Sequence, residues 1–234
     1  MSPALDRRTR WVAGSAVALA VLFAGAATVA TARGDGAGTG PRTPSSVSAD
    51  AGFARDMAVH HQQAVEMSFI VRDGTRDEDV RRLAYDIANT QANQRGMLLG
   101  WLDLWELPKT APDGQGPMSW MTGAHSGHDM QGMAGMQGMA GMEGMDHGGA
   151  LMPGMATRAE LAQLREARGE KAEILFLQLM TDHHEAGVDM ARGCARQCIV
   201  PAEKRLAQGM VDAQRSELDL MADMLAARGS APRP

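Results

Sequence analysis

The sequence almost lacks cysteine: only Cys194 and Cys198 occur among its 234 residues. Neither lies near the N-terminus, which excludes a bacterial lipoprotein anchor. Enzyme motifs are also lacking, since the chain has no GxSxG, no P-loop and no GxGxxG in its expected setting. These absences predict that the protein is not an enzyme of those classes.

Positive charge is scarce outside the N-terminal segment. The first 42 residues hold five arginines and two aspartates, a net charge of +3, so the whole-chain charge of −5 leaves −8 for residues 43–234. Binding to nucleic acid requires a basic face that contacts phosphates. An acidic body therefore predicts no nucleic-acid partner.

The N-terminal segment has the pattern of an export signal. Three arginines, at positions 7, 8 and 10, precede the charge-free apolar run Trp11–Ala32. A run of about 20 apolar residues is also long enough to span a bilayer. Residues 1–32 are therefore predicted to be either a signal peptide or a transmembrane anchor. The body of the protein is expected outside the cytoplasm, either secreted or held at the membrane, and residues 33–49 are expected to be a flexible tether.

Four of the seven histidines occur in two matched segments. They are "DMAVHHQQAVEM", residues 56–67, and "LMTDHHEAGVDM", residues 179–190. In each segment a methionine lies three residues before the histidine pair and another lies six residues after it. An offset of 123 residues relates the two segments and continues into the following helix, where Gln91 matches Gln214. This repeat indicates a duplicated unit.

The apolar residues of each copy recur at helical spacing, so each unit is predicted to be a helix hairpin. Two amphipathic hairpins bury their apolar stripes most simply as an all-α four-helix bundle. Capping-box patterns at Thr75–Glu78 and Thr157–Glu160 predict two helix starts. The predicted order is a first hairpin over 50–107, a Met/Gly/His-rich linker over 108–156, a short helix with the second hairpin over 157–228, and a tail over 229–234.

The histidines and methionines of both copies are predicted to lie on one face of their helices. Imidazole and thioether together suit copper, because Cu(I) favours thioether and Cu(II) favours imidazole. Asp50 and Glu173 fall on the same face, where we expect them to assist the histidines or act as ligands. Methionine is also common core filler, so packing is the alternative for the thioethers. The predicted ligands are Met57, His60, His61, Met67, Met180, His183, His184 and Met190.

The linker carries a second set of candidate ligands. Thioethers on a flexible chain can wrap Cu(I) or silver and, unlike thiols, resist oxidation outside the cytoplasm. Sequence drift in a tolerant linker is the alternative, and its first two histidines are also compatible with loose Cu(II) or Zn(II) binding. The secondary ligands are His125, His128, Met130, Met133, Met136, Met139, Met142, Met145 and His147.

The cysteine pair has no counterpart in the first copy, where Val71 and Thr75 stand at the matching positions. An exported protein meets oxidising conditions, so a disulfide between Cys194 and Cys198 is one interpretation. A CxxxC copper or redox pair is the other. A disulfide within a helical turn would require the backbone to distort.

Four stretches resemble a known family: "DAGFARDMAVHHQQAVEM", "FLQLMTDHHEAGVDMA", "MPGMATRAELAQLREARG" and "QRSELDLMADML". They are similar to the domain of unknown function 305 family over about residues 50–228. The resemblance implies a ferritin-like four-helix bundle in the bacterial cell envelope, with copper binding and tolerance through the paired His and Met residues. Gln94, where the second copy has Glu217, departs from the pattern, as do the cysteine pair and the long insert.

These patterns together predict an exported copper-binding bundle that sequesters copper or hands it to a transfer protein. Two alternatives stay open. The first is a metal-dependent oxidase, although no Glu-x-x-His accompanies the histidine pairs as it does in di-iron bundles. The second is a structural bundle whose methionines form an adaptable partner surface.

Overall fold

The computed structural model describes residues 43–122 and 149–234, which form six helices and no strand. Four long helices, of 26 to 28 residues, make up a helical bundle, and two short helices lie between the second and third. The helices are α1 (Ala49–Gly74), α2 (Glu78–Leu104), α3 (Ser119–Thr122), α4 (Arg158–Glu166), α5 (Glu170–Gln197) and α6 (Pro201–Ala227).

The predicted signal or anchor segment, 1–32, and the predicted ligands from His125 to His147 lie outside the described residues. Within the two described ranges, no helix is both long enough and apolar enough to cross a membrane.

The long helices pack as two hairpins, α1 with α2 and α5 with α6, and the hairpins meet through α1 and α5. These two helices run antiparallel. Asp50, at the start of α1, accepts hydrogen bonds from the backbone N–H groups of Ile199 (2.9 Å) and Val200 (2.8 Å), just after α5 ends. Glu173, near the start of α5, accepts a hydrogen bond from the Thr75 hydroxyl at the end of α1. The duplicated hairpins are therefore related by an approximate two-fold axis.

Asp50 and Glu173 consequently lie at opposite ends of the bundle. Each is ten residues from the first histidine of its own helix, which is about 15 Å along the helix axis. Glu173 also accepts a hydrogen bond from the guanidinium of Arg228 at 2.9 Å. The structure thus gives both carboxylates a role in holding the hairpin ends together, in place of the predicted role beside the histidines.

The two predicted capping boxes have different outcomes. Thr157 and Glu160 cap the start of α4 reciprocally, as predicted. The prediction for Thr75 is wrong, because the side chain of Asp77 caps α2 by accepting from two backbone N–H groups. The Thr75 hydroxyl is used instead for the contact with Glu173, which belongs to the other hairpin.

The core consists of two apolar clusters with a polar layer between them. One cluster contains the first half of α1 and the last half of α5, and includes Phe53 and Cys194. The other contains the last half of α1 and the first half of α5, and includes Val71 and Phe176. The histidine pairs fall between these clusters, at the middle of both central helices.

The predicted linker, 108–156, is too wide, because both of its described ends pack onto the bundle. Trp120 contacts Phe53 edge-on, with the ring centroids 5.8 Å apart, and its indole N–H donates to Asp56 at 2.9 Å. At the other end, Gln63 exchanges two hydrogen bonds with the backbone of Ala156, at 2.8 and 2.7 Å. The described residues on either side of the Met-rich insert, residues 123–148, are therefore held by α1.

We expect Gly52→Ala to weaken this attachment. A Cβ on Gly52 would lie 2.5 Å from two ring atoms of Trp120, so the indole would have to move. Overpacking of this kind typically costs about 1–3 kcal/mol. The control is Gly96→Ala on α2, where a Cβ meets no atom within 4 Å and the helix should gain roughly 1 kcal/mol. Urea unfolding compares the two, and equal stability of both variants would contradict the close packing.

Candidate metal centre

The four paired histidines lie together in the polar layer, and all four are fully buried. The rings of His60 and His183, one from each central helix, stack with centroids 3.7 Å apart and planes 29° apart. His61 and His184 flank this stack, with centroids 6.5 and 6.2 Å from those of their chain neighbours. The two copies thus contribute equivalently to one layer.

One ring nitrogen is held by a hydrogen bond in three of the histidines. The Nε2–H group of His183 donates to the backbone carbonyl of His60 at 2.9 Å. That of His61 donates to the amide oxygen of Gln94 at 2.8 Å, and that of His184 to the carboxylate of Glu217 at 2.7 Å. A proton placed on Nε2 leaves Nδ1 as a bare lone pair.

Nδ1 has no hydrogen-bond partner in any of the four histidines among the described residues, and His60 also lacks a partner at Nε2. Leaving a buried polar atom unpaired costs about 1–3 kcal/mol. Five such nitrogens in one layer are therefore a substantial cost unless something binds them. An imidazole whose far nitrogen is fixed by a carbonyl or carboxylate is the arrangement usual for metal-ligating histidine.

The imidazoles of His60, His61 and His183 are neutral at physiological pH. Burial, with a smaller contribution from neighbouring histidines, lowers the pKa of His60 and of His183 well below the usual 6.5. Burial likewise lowers the pKa of His61 to about 3, although its hydrogen bond to Gln94 acts in the opposite direction. Since a metal binds only the neutral ring, these side chains are ready to act as ligands without losing a proton first.

The four predicted methionine ligands are also buried, in crossed pairs around the histidine layer. Met57 and Met190 belong to one apolar cluster. Met67 and Met180 belong to the other. Thioethers from both copies therefore lie on each side of the imidazoles.

The histidine nitrogens are not already gathered around one point. Among the described residues, the only group of three or more His, Cys, Asp or Glu ligand atoms within 4.8 Å of one another is Cys194, Cys198 and Glu203. In the histidine layer, the structure thus places imidazoles close together in pairs, such as the stacked rings of His60 and His183, and not in groups of three or more.

Two glutamines complete the layer, and sequence reasoning did not assign them a role. Gln91 and Gln214 occupy equivalent positions in α2 and α6, and both are buried. A Cβ on Gly187 would lie 2.5 Å from the amide oxygen of Gln214 and 3.3 Å from the ring of His60. Gly187 thus leaves the space in which this polar layer fits. The sequence feature that could have identified these two glutamines is the repeat offset, which pairs Gln91 with Gln214.

A polar cavity of about 330 Å³ opens on α2 beside the layer, and Gln94 is one of the residues that line it, with Asn89, Thr90 and Asn93. Because Gln94 also accepts the hydrogen bond from His61, a single amide links the buried imidazoles to the cavity. The other copy has Glu217 at this position, so the two halves of the layer differ in charge.

An acidic cavity of about 420 Å³ lies on α5, and sequence reasoning missed it. Its lining includes Asp182, Glu185 and Asp189 from α5, with Met118 and Gly154, which flank the insert in sequence. Burial, and then these two neighbouring aspartates, raise the pKa of Glu185.

The cysteines form a disulfide, Cys194–Cys198, at the end of α5. The helix ends at Gln197, and Cys198 has the extended backbone of a C-cap residue. The bridge therefore does not have to close within a regular helical turn. The alternative interpretation, a copper-binding or redox-active cysteine pair, requires free thiols and so requires that this disulfide be reduced first.

Comparison with known proteins agrees with the observed fold. The sequence profile described as domain of unknown function (DUF305) matches residues 50–225. A DUF305 protein from Streptomyces coelicolor, described as secreted, is 56% identical, covers 81% of this chain and 99% of its own, and has a TM-score of 0.67. A DUF305 fragment from Deinococcus radiodurans is 27% identical, covers 80% of this chain and 99% of its own, and has a TM-score of 0.57.

The protein CopM in its Cu(I)-bound form also has a similar structure. It is 18% identical, covers 76% of this chain and 96% of its own, and has a TM-score of 0.53, which shows a shared fold. No curated protein matches this chain. The family profile covers most of the chain, and the chain therefore belongs to the DUF305 family.

Proposed function

We propose that this protein binds copper outside the cytoplasm and either sequesters it or passes it to a transfer protein. The bundle holds the ion through imidazoles of His60, His61, His183 and His184, with thioethers of the four predicted methionine ligands as further donors. Silver, which resembles Cu(I) in its preference for thioether, is a second cargo. The process is ligand exchange without catalysis.

The observation that carries this proposal is the set of bare imidazole nitrogens. Burying histidines on an apolar face is unfavourable unless their polar atoms are satisfied. Here Nε2–H is hydrogen-bonded in three of the four histidines, whereas every Nδ1, and Nε2 of His60 as well, is left without a partner among the described residues. A soft or borderline metal ion is a partner that requires neutral imidazole and accepts thioether.

Relatives support the choice of metal and of compartment. Structures of CopM, which shares the fold, have been determined in Cu(I)-bound, Cu(II)-bound and silver-bound forms. The Streptomyces coelicolor relative is described as secreted, which agrees with the export pattern of residues 1–32. In our proposal the Met-rich insert, from residue 123 to 148, captures copper with low specificity, and the segment before residue 43 exports or tethers the protein.

The test is Cu(I) titration of the chain from residue 43, against a chelator of known affinity. Three changes are compared with the unmodified protein: deletion of residues 123–148, His60→Leu with His183→Leu, and leucine at the four predicted methionine ligands. Leucine conserves apolar volume in the methionine set, so the bundle should still fold. Circular dichroism checks the fold of each variant.

We expect tight binding that survives the deletion and weakens at least tenfold in the histidine variant. Copper at 100 times its dissociation constant should also stabilise the protein by about 2.7 kcal/mol. Binding that disappears only with residues 123–148 would refute the proposed site in the bundle. Oxygen consumption by the copper-loaded protein would instead support the oxidase alternative.

Glu217→Gln is expected to weaken copper binding at the histidine layer. The carboxylate of Glu217 accepts the Nε2–H of His184 and makes that imidazole a stronger ligand. Loss of such a partner typically lowers metal affinity 10–100-fold. Gln94→Glu, the reverse change at the equivalent position beside His61, serves as the matched variant and should strengthen binding. Equal affinities in both variants would show that these partners do not tune the ligands.

A further inference from the structure

The end of the bundle opposite the Glu173 contact holds a second group of metal-ligating side chains, separate from the histidine layer. It comprises Cys194 in the last turn of α5, Cys198 just after it, and Glu203 in the first turn of α6. Their ligand atoms all lie within 4.8 Å of one another. Cys194 is ten residues beyond His184, about 15 Å along the helix axis, so the two groups do not share an ion.

Glu203 is an unusual residue for this place. It is fully buried, and neither of its carboxyl oxygens makes a hydrogen bond of ordinary geometry among the described residues. The charged group that faces it is Asp50, whose carboxylate already accepts two backbone N–H groups. Burial, and then Asp50, raise the pKa of Glu203 to about 10, so its carboxyl group is neutral in this state.

The duplicated hairpin shows that the fold does not need these three residues. At the offset of 123 residues the first copy has Val71, Thr75 and Val80, of which the two valines are fully buried. Apolar side chains are therefore sufficient at the positions of Cys194 and Glu203, and a hydroxyl at that of Cys198. The second copy replaces all three residues with metal-ligating side chains, although a buried carboxyl group beside Asp50 is costly to ionise without a cation.

We propose that Cys194, Cys198 and Glu203 form a redox-gated metal site, which binds a divalent borderline ion such as Zn²⁺ when the cysteines are reduced. Two thiolates and a carboxylate are a donor set typical of zinc, with a fourth position left for water. A carboxylate is a poor ligand for Cu(I), which separates this site from the copper cargo. The proposal does not depend on the function of the histidine layer.

The disulfide and the metal occupy the same sulfur atoms, so the two states exclude each other. Opening the site requires a thiol reductant: the Cys194–Cys198 bond breaks, two reductant thiols become one disulfide, and each cysteine sulfur receives a proton. The ion then displaces the two thiol protons and the carboxyl proton of Glu203. A disulfide oxidant reverses the process: it takes two electrons from the cysteine sulfurs and becomes two thiols, the Cys194–Cys198 bond forms again, Glu203 takes a proton from water, and the ion is released.

Cobalt is the probe, because Co²⁺ takes zinc sites and gives a thiolate-to-metal charge-transfer absorption that histidine ligands do not. Reduced protein is titrated with Co²⁺, and Zn²⁺ is then added in competition. Oxidised protein and Cys194→Ser/Cys198→Ser are the controls for the sulfurs. Glu203→Gln tests the carboxylate, and Glu170→Gln, an exposed first-turn glutamate of α5, is its matched control.

We expect an absorption that saturates at one Co²⁺ per chain in the reduced protein only and disappears when Zn²⁺ is added. Glu203→Gln should weaken binding at least tenfold, and Glu170→Gln should leave it unchanged. The proposal is overturned if folded, reduced protein shows no charge-transfer band, if the serine variant keeps the band, or if Glu203→Gln binds as tightly as Glu170→Gln. Loss of the helical circular dichroism signal on reduction alone would overturn it as well.

Discussion

Replacing Glu203 with glutamine is expected to stabilise the oxidised protein by roughly 3 kcal/mol at pH 7. In the folded protein the pKa of Glu203 is about 10, against an ordinary value of 4.5. At pH 7 the unfolded chain gains the free energy of ionising this carboxyl group, and the folded chain does not. Each pH unit above 4.5 is worth about 1.4 kcal/mol, so 2.5 units give roughly 3 kcal/mol.

The sign of this effect depends on pH. Below pH 4.5 the carboxyl group of Glu203 is neutral in the folded and the unfolded chain, and the free energy of unfolding is then highest. As the pH rises from 4.5 toward 10, only the unfolded chain ionises this group, and the free energy of unfolding falls progressively. The glutamine variant and the natural protein should therefore be equally stable at pH 4 and should diverge above it. Urea unfolding at pH 4, 6 and 8 measures this. Glu170→Gln, at an exposed glutamate, is the control and should change stability by a few tenths of a kcal/mol at every pH.

Acid is expected to destabilise the metal-free bundle through its buried histidines. The pKa of His60, His61 and His183 is lowered in the folded state, to about 3 for His61. Their neutral rings contribute full stability above pH 6.5, and this contribution is lost as the pH falls from 6.5 toward the folded pKa. Between pH 7 and pH 5, His61 alone should account for a loss of about 2 kcal/mol.

Glu203 has the opposite effect on the free energy of unfolding over this range. As the pH falls from 7 to 5, the unfolded chain gains less by ionising Glu203, so the neutral group destabilises the folded protein less. The loss of stability is therefore best measured in the Glu203→Gln background, where the histidine contribution appears without offset. Adding His61→Gln, which keeps a polar side chain beside Gln94, should reduce the loss between pH 7 and pH 5 by about 2 kcal/mol. An unchanged pH dependence would mean that His61 is charged or exposed in the folded protein. Copper present in excess should hold the rings neutral and steepen the acid transition.

The contrast between the Thr157 and Thr75 capping predictions shows how far local patterns reach. Thr157 and Glu160 need only each other, three residues apart, so the sequence was sufficient to place the start of α4. Thr75 has an equally good local pattern, but its hydroxyl binds Glu173 from the other hairpin, 98 residues away. A contact across the bundle thus decided which residue caps α2.

The candidate site divides in the same way. Helical periodicity and the offset of 123 residues place the histidine pairs and their methionines on the buried faces of two matched helices, and both signals are properties of the sequence. The antiparallel packing of α1 against α5 decided that His60 stacks on His183. It also decided that Met57 joins Met190 rather than its repeat counterpart Met180, because reversing one helix brings the start of one copy beside the end of the other.

By itself, the sequence determined the all-helical class, the duplication and the identity of the buried imidazoles, because each follows from helical periodicity or from the offset of 123 residues along the chain. Only the tertiary structure decided what those groups meet. Asp50 was expected beside the histidines, but it lies at the turn between α5 and α6. There it accepts hydrogen bonds from backbone N–H groups of residues 149 and 150 positions away. Glu203 has no local feature that marks it, and it joins the cysteines only because the turn between α5 and α6 folds the chain back. Periodicity specifies which face of a helix is buried, whereas the partner on that face depends on how whole helices pack.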